Sequence, residues 1–413
     1  MSAVLLSFAS VWVPCAASGQ GAAEPFVVHE WGTFTSFAGS DGVCLEYRPL
    51  AYDDLPAFVY DRARQAGLAG GEDRKSALVA RQRMETPVTY FYTDRPRVVD
   101  VTVRFPRGLF TEFYPPVTRM EPAYDPEAVE PCEDGLLRWR RSGLIPCSAS
   151  VHAGSMPEKV PQEPALPAVE GGNPYASARQ TDSAIVQADD PFDASRKHVE
   201  KFLFYRGVGD FDLPLSVRSL GDDRFALTNS GPQPIRSLFL VHNDGGGLRV
   251  ATLDRLAKED RLTLPQARTT TDALAEAMAQ TLTAEGLFPR EARAMVDTWR
   301  GAWFGEEGVR LLYGLPASLV DEIIPLHIEP TPDRVIRVLV GRMELLTPET
   351  ERRIEELAAK LAASPEERQA ALAALAHFGR FAEPALRRAI SGSSDAELRR
   401  QAAELLERAA FPH

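Results

Sequence analysis

Charged side chains appear in this chain where strand geometry calls for apolar ones. Side chains alternate between the two faces of a strand. In FVVHEWGTFTSF this puts Phe26, Val28, Glu30, Gly32 and Phe34 on one face, and Val27, His29, Trp31, Thr33 and Thr35 on the other. Glu30 is therefore the anomaly, on an otherwise apolar face. In EKFLFYRGVG, Arg206 shares a face with Phe202, Phe204 and Val208; in RVIRVLVGRMELL, Arg342 shares one with Ile336, Val338 and Val340. An isolated ion among hydrocarbon is costly, so such groups pair or border a cleft. The simplest expectation is that Glu30, Arg206 and Arg342 meet, since a guanidinium fork binds a carboxylate at two points. Glu85 in RMETPVTYFY, and Glu307 and Arg310 in FGEEGVRLLY, are further candidates.

Three chemistries fit this set. One is a buried structural ion network. A second uses the surplus of Arg206 and Arg342 over Glu30 to hold a carboxylate, sulfate or phosphate. A third is a hydrolase with Glu30 and Glu85 as acid and base, which needs the two carboxyl groups roughly 5–10 Å apart for glycoside chemistry. A dyad of Glu30 and His29 is disfavoured, because adjacent strand residues point to opposite faces. The seven histidines show no metal-ligand spacing. Only a convergence of His29, His242 and His327 from distant segments could bind a metal, and no metal or cofactor is expected. Nucleophile-elbow, Walker and dinucleotide fingerprints are missing from the sequence.

The elements that must position these groups come in blocks. Residues 23–267 are rich in short β-branched and aromatic runs separated by turns such as SGPQP and NDGGG. They predict a mainly β fold, an antiparallel sandwich or distorted barrel. Residues 149–175, rich in Pro, Gly and Glu, predict a surface excursion. Residues 268–347 predict an α+β segment packed on the β-rich domain. It has one helix capped by Thr and ended by Gly286, and a second from Pro289 with a stripe of Ala292, Met295, Val296 and Trp299; a strand follows. Residues 348–413 predict a short α-helical tail.

At the start, Ala3–Val13 is an apolar run followed by small residues, which predicts a signal peptide over 1–22 and a secreted or periplasmic protein; lipidation at Cys15 is disfavoured by the preceding Trp-Val-Pro. An oxidising compartment makes a Cys132–Cys147 disulfide plausible, closing CEDGLLRWRRSGLIPC as an irregular hairpin. Cys44 is then left over, as a small buried hydrophobe. The net charge of −12 argues against nucleic acid or an anionic membrane as partner, and no later stretch is long and apolar enough to span a bilayer.

Two resemblances add to this. The tail segments AEPALRRAI and DAELRRQAA, with the Ala-Leu run ending at Gly379, resemble HEAT helical repeats, which implies a surface that docks a protein partner. With only about one and a half repeats, such a tail must lean on the rest of the chain. The segments VHEWGTFT, RMETPVTYFY, EKFLFYRGVG and RVLVGRMELLTPE resemble a group of uncharacterised secreted bacterial proteins, which implies secretion and a shared fold but no catalytic residues. The resulting expectation is an exported, non-catalytic binding or scaffold protein of the cell envelope. The alternatives are an envelope hydrolase and a small-anion or glycan binder.

Overall fold

The computed structural model describes residues 25–51, 55–68, 74–127, 132–147, 163–193, 195–392, 396 and 399–400. The expected signal peptide, most of the last tail helix and part of the Pro-rich excursion lie outside them. The fold is mixed α/β and strand-rich, with several largely antiparallel sheets and helices at the C-terminal end.

Its spine is a ten-stranded sheet. From one edge run Leu248–Leu256, Ile235–Asn243, Gly308–Gly314 and Arg334–Leu345, then Val27–Ala38, Gln82–Tyr92, Leu203–Gly209, Gly108–Tyr114 and Tyr60–Asp61; Cys44–Leu45 pairs alongside Val27–Ala38. The expected antiparallel pattern has one exception at the centre. Val27–Ala38, the opening strand, runs parallel to Arg334–Leu345, the return strand, with Glu30 opposite Arg337 and Thr35 opposite Arg342. Parallel pairing needs a long crossover, and here the crossover is most of the chain. The strands Gly308–Gly314 and Arg334–Leu345 are thus integral to the main sheet, so the expected boundary near residue 268 does not divide it. Both faces of the opening strand are buried along its whole length.

A second, six-stranded sheet is built on Gly135–Ile145, and a three-stranded one on Arg224–Asn229. The Asn243-Asp244-Gly245 turn forms as expected. Ile235–Asn243 pairs antiparallel with Leu248–Leu256, Gly245 and Gly247 take positive φ, and the Gly245 amide donates to Asn243 Oδ1 at 3.0 Å. Helix Thr271–Ala284 is capped by Thr270, and helix Pro289–Arg300 starts on its proline. The second helix runs on into a π turn, Gly301–Gly305. The Pro-rich excursion ends at Tyr175, as expected. Tyr175 opens a short helix, is buried, and donates to Glu200 at 3.2 Å.

The cysteine hairpin is a misreading. Gly135–Ile145 is one continuous strand. Eleven residues in a strand span roughly 35 Å, against less than about 7 Å between the Cα atoms of a disulfide. Cys132 and Cys147 are accordingly free, as is Cys44. Arg141 absorbs the turn-like RWRRSG with a positive φ and a backbone N–H to Asp100 Oδ1 at 2.7 Å.

The C-terminal helices Pro348–Ala359, Pro365–Ala376 and Ala382–Gly392 do not stand alone. Ile354, Leu357, Leu361, Leu375 and Leu386 form one apolar cluster with Phe37, Tyr47 and Leu346 of the sheet domain. The tail leans on the domain, as its length requires, while a repeat architecture is not evident among the described residues. No helix among them is long and apolar enough to cross a membrane.

Candidate functional site

The centre of the main sheet is distorted at one level. Gly32 sits at a register shift between the opening strand and Gln82–Tyr92, and Leu203–Gly209 shifts register against both of its neighbours at Tyr205, Arg206 and Gly207. Thr86 holds φ +42, a conformation β-branched residues rarely adopt, and it precedes Pro87, which disfavours the helical region as well. Gly32 makes this possible, because a Cβ there would lie 2.8 Å from Pro87 Cα. Converging bulges and a strained residue mark functional sites more often than plain scaffold.

Over the distorted strands lies a cleft of about 1010 Å³. Its floor carries Trp31, Thr35, Arg83, Glu85, Thr86 and Arg206. Its roof is the segment 172–178 and the end of helix Pro289–Arg300 with its π turn; Arg342, Glu306 and Arg380 stand at the end nearest the tail. π turns of this kind recur at functional sites. Among the described residues, the ionised side chains lining the cleft are Arg83, Arg206, Arg300, Arg342 and Arg380 against Glu85, Asp297 and Glu306. Cationic groups therefore predominate.

Beneath the tail end of the cleft is a buried ion network. Glu344 Oε1 accepts from Arg310 Nε at 2.9 Å and Arg342 Nε at 2.7 Å, and its Oε2 accepts from Arg380 Nη2 at 2.9 Å. Arg342 Nη2 also reaches Glu306 Oε2 at 2.5 Å, and Arg310 donates to the carbonyls of Trp303, Glu306 and Glu307. Burial alone would raise the Glu344 carboxyl, but the guanidinium charges of Arg310, Arg380 and Arg342 overcome it and hold the group well below the usual carboxylate range. Burial likewise works against the Arg342 charge, yet Glu344 and Glu306 keep it above its ordinary value. Arg380, on a short turn of the tail, completes the set, so the tail supplies part of the cleft wall.

Glu30 belongs elsewhere. Its face is buried and apolar, as alternation requires, but its partner is Arg337 of the return strand, whose Nη2 lies 2.5 Å and Nε 2.7 Å from Oε2; the Tyr205 hydroxyl donates to Oε1. Arg337 continues to Asp321 at 2.8 Å. The expected meeting of Glu30 with Arg206 and Arg342 does not occur, for a reason of parity. Glu30 and Arg337 are register partners on one face, whereas Thr35 and Arg342 are partners on the other. Glu85 pairs with Thr33, on the cleft face. Glu30 and Glu85 consequently lie on opposite sides of one sheet and cannot flank a single bond. Arg206 and Arg342 do share the cleft. Arg310 lies below it in the network, and Glu307 contributes its carbonyl, also to Arg380 at 2.5 Å.

The histidines do not converge. His29 is buried against Glu291 at 2.7 Å, His242 Nδ1 accepts from Arg249 Nη2 at 2.6 Å, and His327 is exposed on the second sheet beside Glu329. No group of three metal-ligating side chains exists among the described residues. Burial pushes the Cys44 thiol up to about 12, which removes it as a nucleophile at neutral pH.

Sequence reasoning missed Arg337, Glu344, Glu306 and Arg380. Glu344 had a signal, since it stands two residues after Arg342 on the same face. Arg380 had none, because nothing in GRFAEP distinguishes it from a solvated helix-turn arginine.

No protein-family model matches the chain, and no curated protein sequence does. Among solved structures, one match is the yeast delta-COP-I mu-homology domain complexed with a Dsl1 WxWxV peptide. It is 7% identical and covers 79% of this chain and 99% of that one, with a TM-score of 0.28. A likeness this slight carries no argument about fold or function.

Proposed function

We propose that this chain is an exported, non-catalytic binding protein whose cleft takes an anionic ligand. The observation that carries the reading is the predominance of arginine over carboxylate in one cleft. Guanidinium groups partly removed from water bind oxyanions strongly, through short charge-assisted hydrogen bonds. Buried donors border the same cleft: Trp31 Nε1, Thr35 Oγ1, Thr86 Oγ1 and Trp299 Nε1 have no hydrogen-bond partner among the described residues. Each such group costs about 1–3 kcal/mol when unpaired, which a ligand rich in acceptors could recover after small side-chain adjustments.

Export rests on the apolar leader-like run and on the resemblance to secreted proteins, and N-terminal sequencing of protein recovered outside the cytoplasm tests it. A protein partner for the tail, implied by its HEAT-like sequence, is compatible with this reading through the outer face only, because the inner face is spent on Phe37, Tyr47 and Leu346.

The binding proposal is tested by thermal unfolding of the full chain in increasing citrate, phosphate or sulfate at constant ionic strength. The expected result is a saturable rise in Tm that Arg300→Met weakens, since that side chain lines the cleft outside the buried network. A response identical to that in chloride, for every anion, overturns it.

A further inference from the structure

The cleft is large and mixed in character for an inorganic anion, and the geometry points to an acidic saccharide: two or more linked sugar units bearing a carboxylate. This inference rests on the anion-binding reading of the same cleft.

Size is the first argument. Pockets for small organic ligands run from about 300 to 1000 Å³, and this cleft, at about 1010 Å³, stands at the top of that range. A lone phosphate or sulfate would leave most of it unfilled.

The second argument is the order of charges. Asp297 and Arg300 both line the roof, where Arg300 is paired with Asp272; Glu85 lies 3.8 Å from Arg83 on the floor, which Arg206 shares, and Glu306 stands between Arg342 and Arg380 at the tail end. Each cationic group is thus accompanied by a carboxylate. An ionised carboxylate only accepts hydrogen bonds, and it repels a bare oxyanion placed against it. A ligand that carries hydroxyl groups as well as a carboxylate satisfies both kinds of partner. Its hydroxyls donate to Glu85, Asp297 and Glu306, while its own carboxylate takes a guanidinium fork. The roof helix adds to this requirement. It reaches the cleft through its C-terminal end and π turn, where the partial charge of a helix is negative and favours donors.

Polyhydroxylated neutral sugars meet the acceptors but leave the surplus guanidinium charge unanswered, and polyphosphates do the reverse. An acidic sugar chain answers the whole lining.

The test is isothermal titration of the full chain with D-glucuronate, tri-galacturonate, neutral cellotriose and inorganic phosphate. The expected result is that tri-galacturonate binds at least tenfold more tightly than D-glucuronate or phosphate, with no saturable heat from cellotriose. Asp297→Asn, at an exposed position, should weaken tri-galacturonate several-fold and leave phosphate unchanged. Glu85→Gln should do the same if it folds. Phosphate binding as tightly as tri-galacturonate overturns the saccharide and leaves the anion site standing. Absence of binding by every anion overturns both, and cellotriose binding as well as tri-galacturonate shows that charge is not read at all.

Discussion

Arg342 and Arg380 grip the same two carboxylates from different parts of the fold. Arg342, on the return strand, lies 2.5 Å from Glu306 and 2.7 Å from Glu344; Arg380, on the tail, lies 3.4 Å from Glu306 and 2.9 Å from Glu344. The tail is joined to the sheet domain by this network as well as by the apolar cluster around Phe37. Phe381 reinforces it by packing where Gly308 has no side chain: a Cβ there would lie 2.7 Å from the ring.

Removal of residues 364–413 should therefore be damaging. It strips Leu375, Ala385 and Leu386 from Phe37, Tyr47, Ile354 and Leu357, and it deletes Arg380. The truncated protein is expected to show a lower Tm, to bind a hydrophobic dye and to aggregate on gel filtration. A narrower change separates packing from charge. Arg380→Met keeps the aliphatic stem and should cost about 3–5 kcal/mol or less, as for removing one partner of a buried pair; urea unfolding gives the value. A truncation as stable and monodisperse as the full chain would falsify the docked tail.

Glu344 makes a pH dependence unavoidable. Its folded carboxyl titrates well below the unfolded one, near 4.5, because three arginines outweigh the effect of burial. A lowered folded value means that this group stabilises the fold fully above the unfolded value, and the contribution disappears as pH falls through the folded value. Between pH 7 and 5 it changes little; below about pH 4.5 stability should drop with proton uptake on unfolding. Urea midpoints measured from pH 7 to pH 3 check this. In Glu344→Gln the midpoint should start lower and fall less steeply, and an equally steep fall would assign the acid sensitivity to other carboxylates.

What the chain discloses on its own follows from the range of the interactions. Caps, turns and alternation are local, so Thr270, Pro289, the Asn243 turn and the buried face of Glu30 could all be read directly. Strand partnership is not local. Which arginine answers Glu30 depends on the register of a strand about three hundred residues later, and a shift of one residue moves every side chain to the other face. Arg342 and Arg206 could be recognised as misplaced charges, but nothing short of the sheet order separates them from the Glu30 pair. The cysteine segment failed for a related reason. RWRRSG has the composition of a turn, and pairing with Arg97–Phe105, Arg119–Glu121 and Ile185–Asp189 holds it extended.

The Glu30–Arg337 pair gives the most direct measure of that long-range register. Both side chains are almost fully buried, the carboxylate also accepts the Tyr205 hydroxyl, and the pair ties the two parallel strands at the centre of the sheet. Loss of one partner leaves the other charge buried and uncompensated, so Glu30→Gln and Arg337→Met should each cost about 3–5 kcal/mol. Loss of both leaves no orphan charge, and the double variant should be markedly more stable than the sum of the single losses predicts. A double-mutant cycle by urea denaturation then yields a coupling of at least about 1 kcal/mol, within the range found for residues in one network. Because this pair faces away from the cleft, the anion-induced rise in Tm should persist in any variant that still folds. Additive losses would mean that the two groups do not sense each other, and a lost ligand response would place Glu30 nearer to the binding site than the opposite faces of the sheet allow.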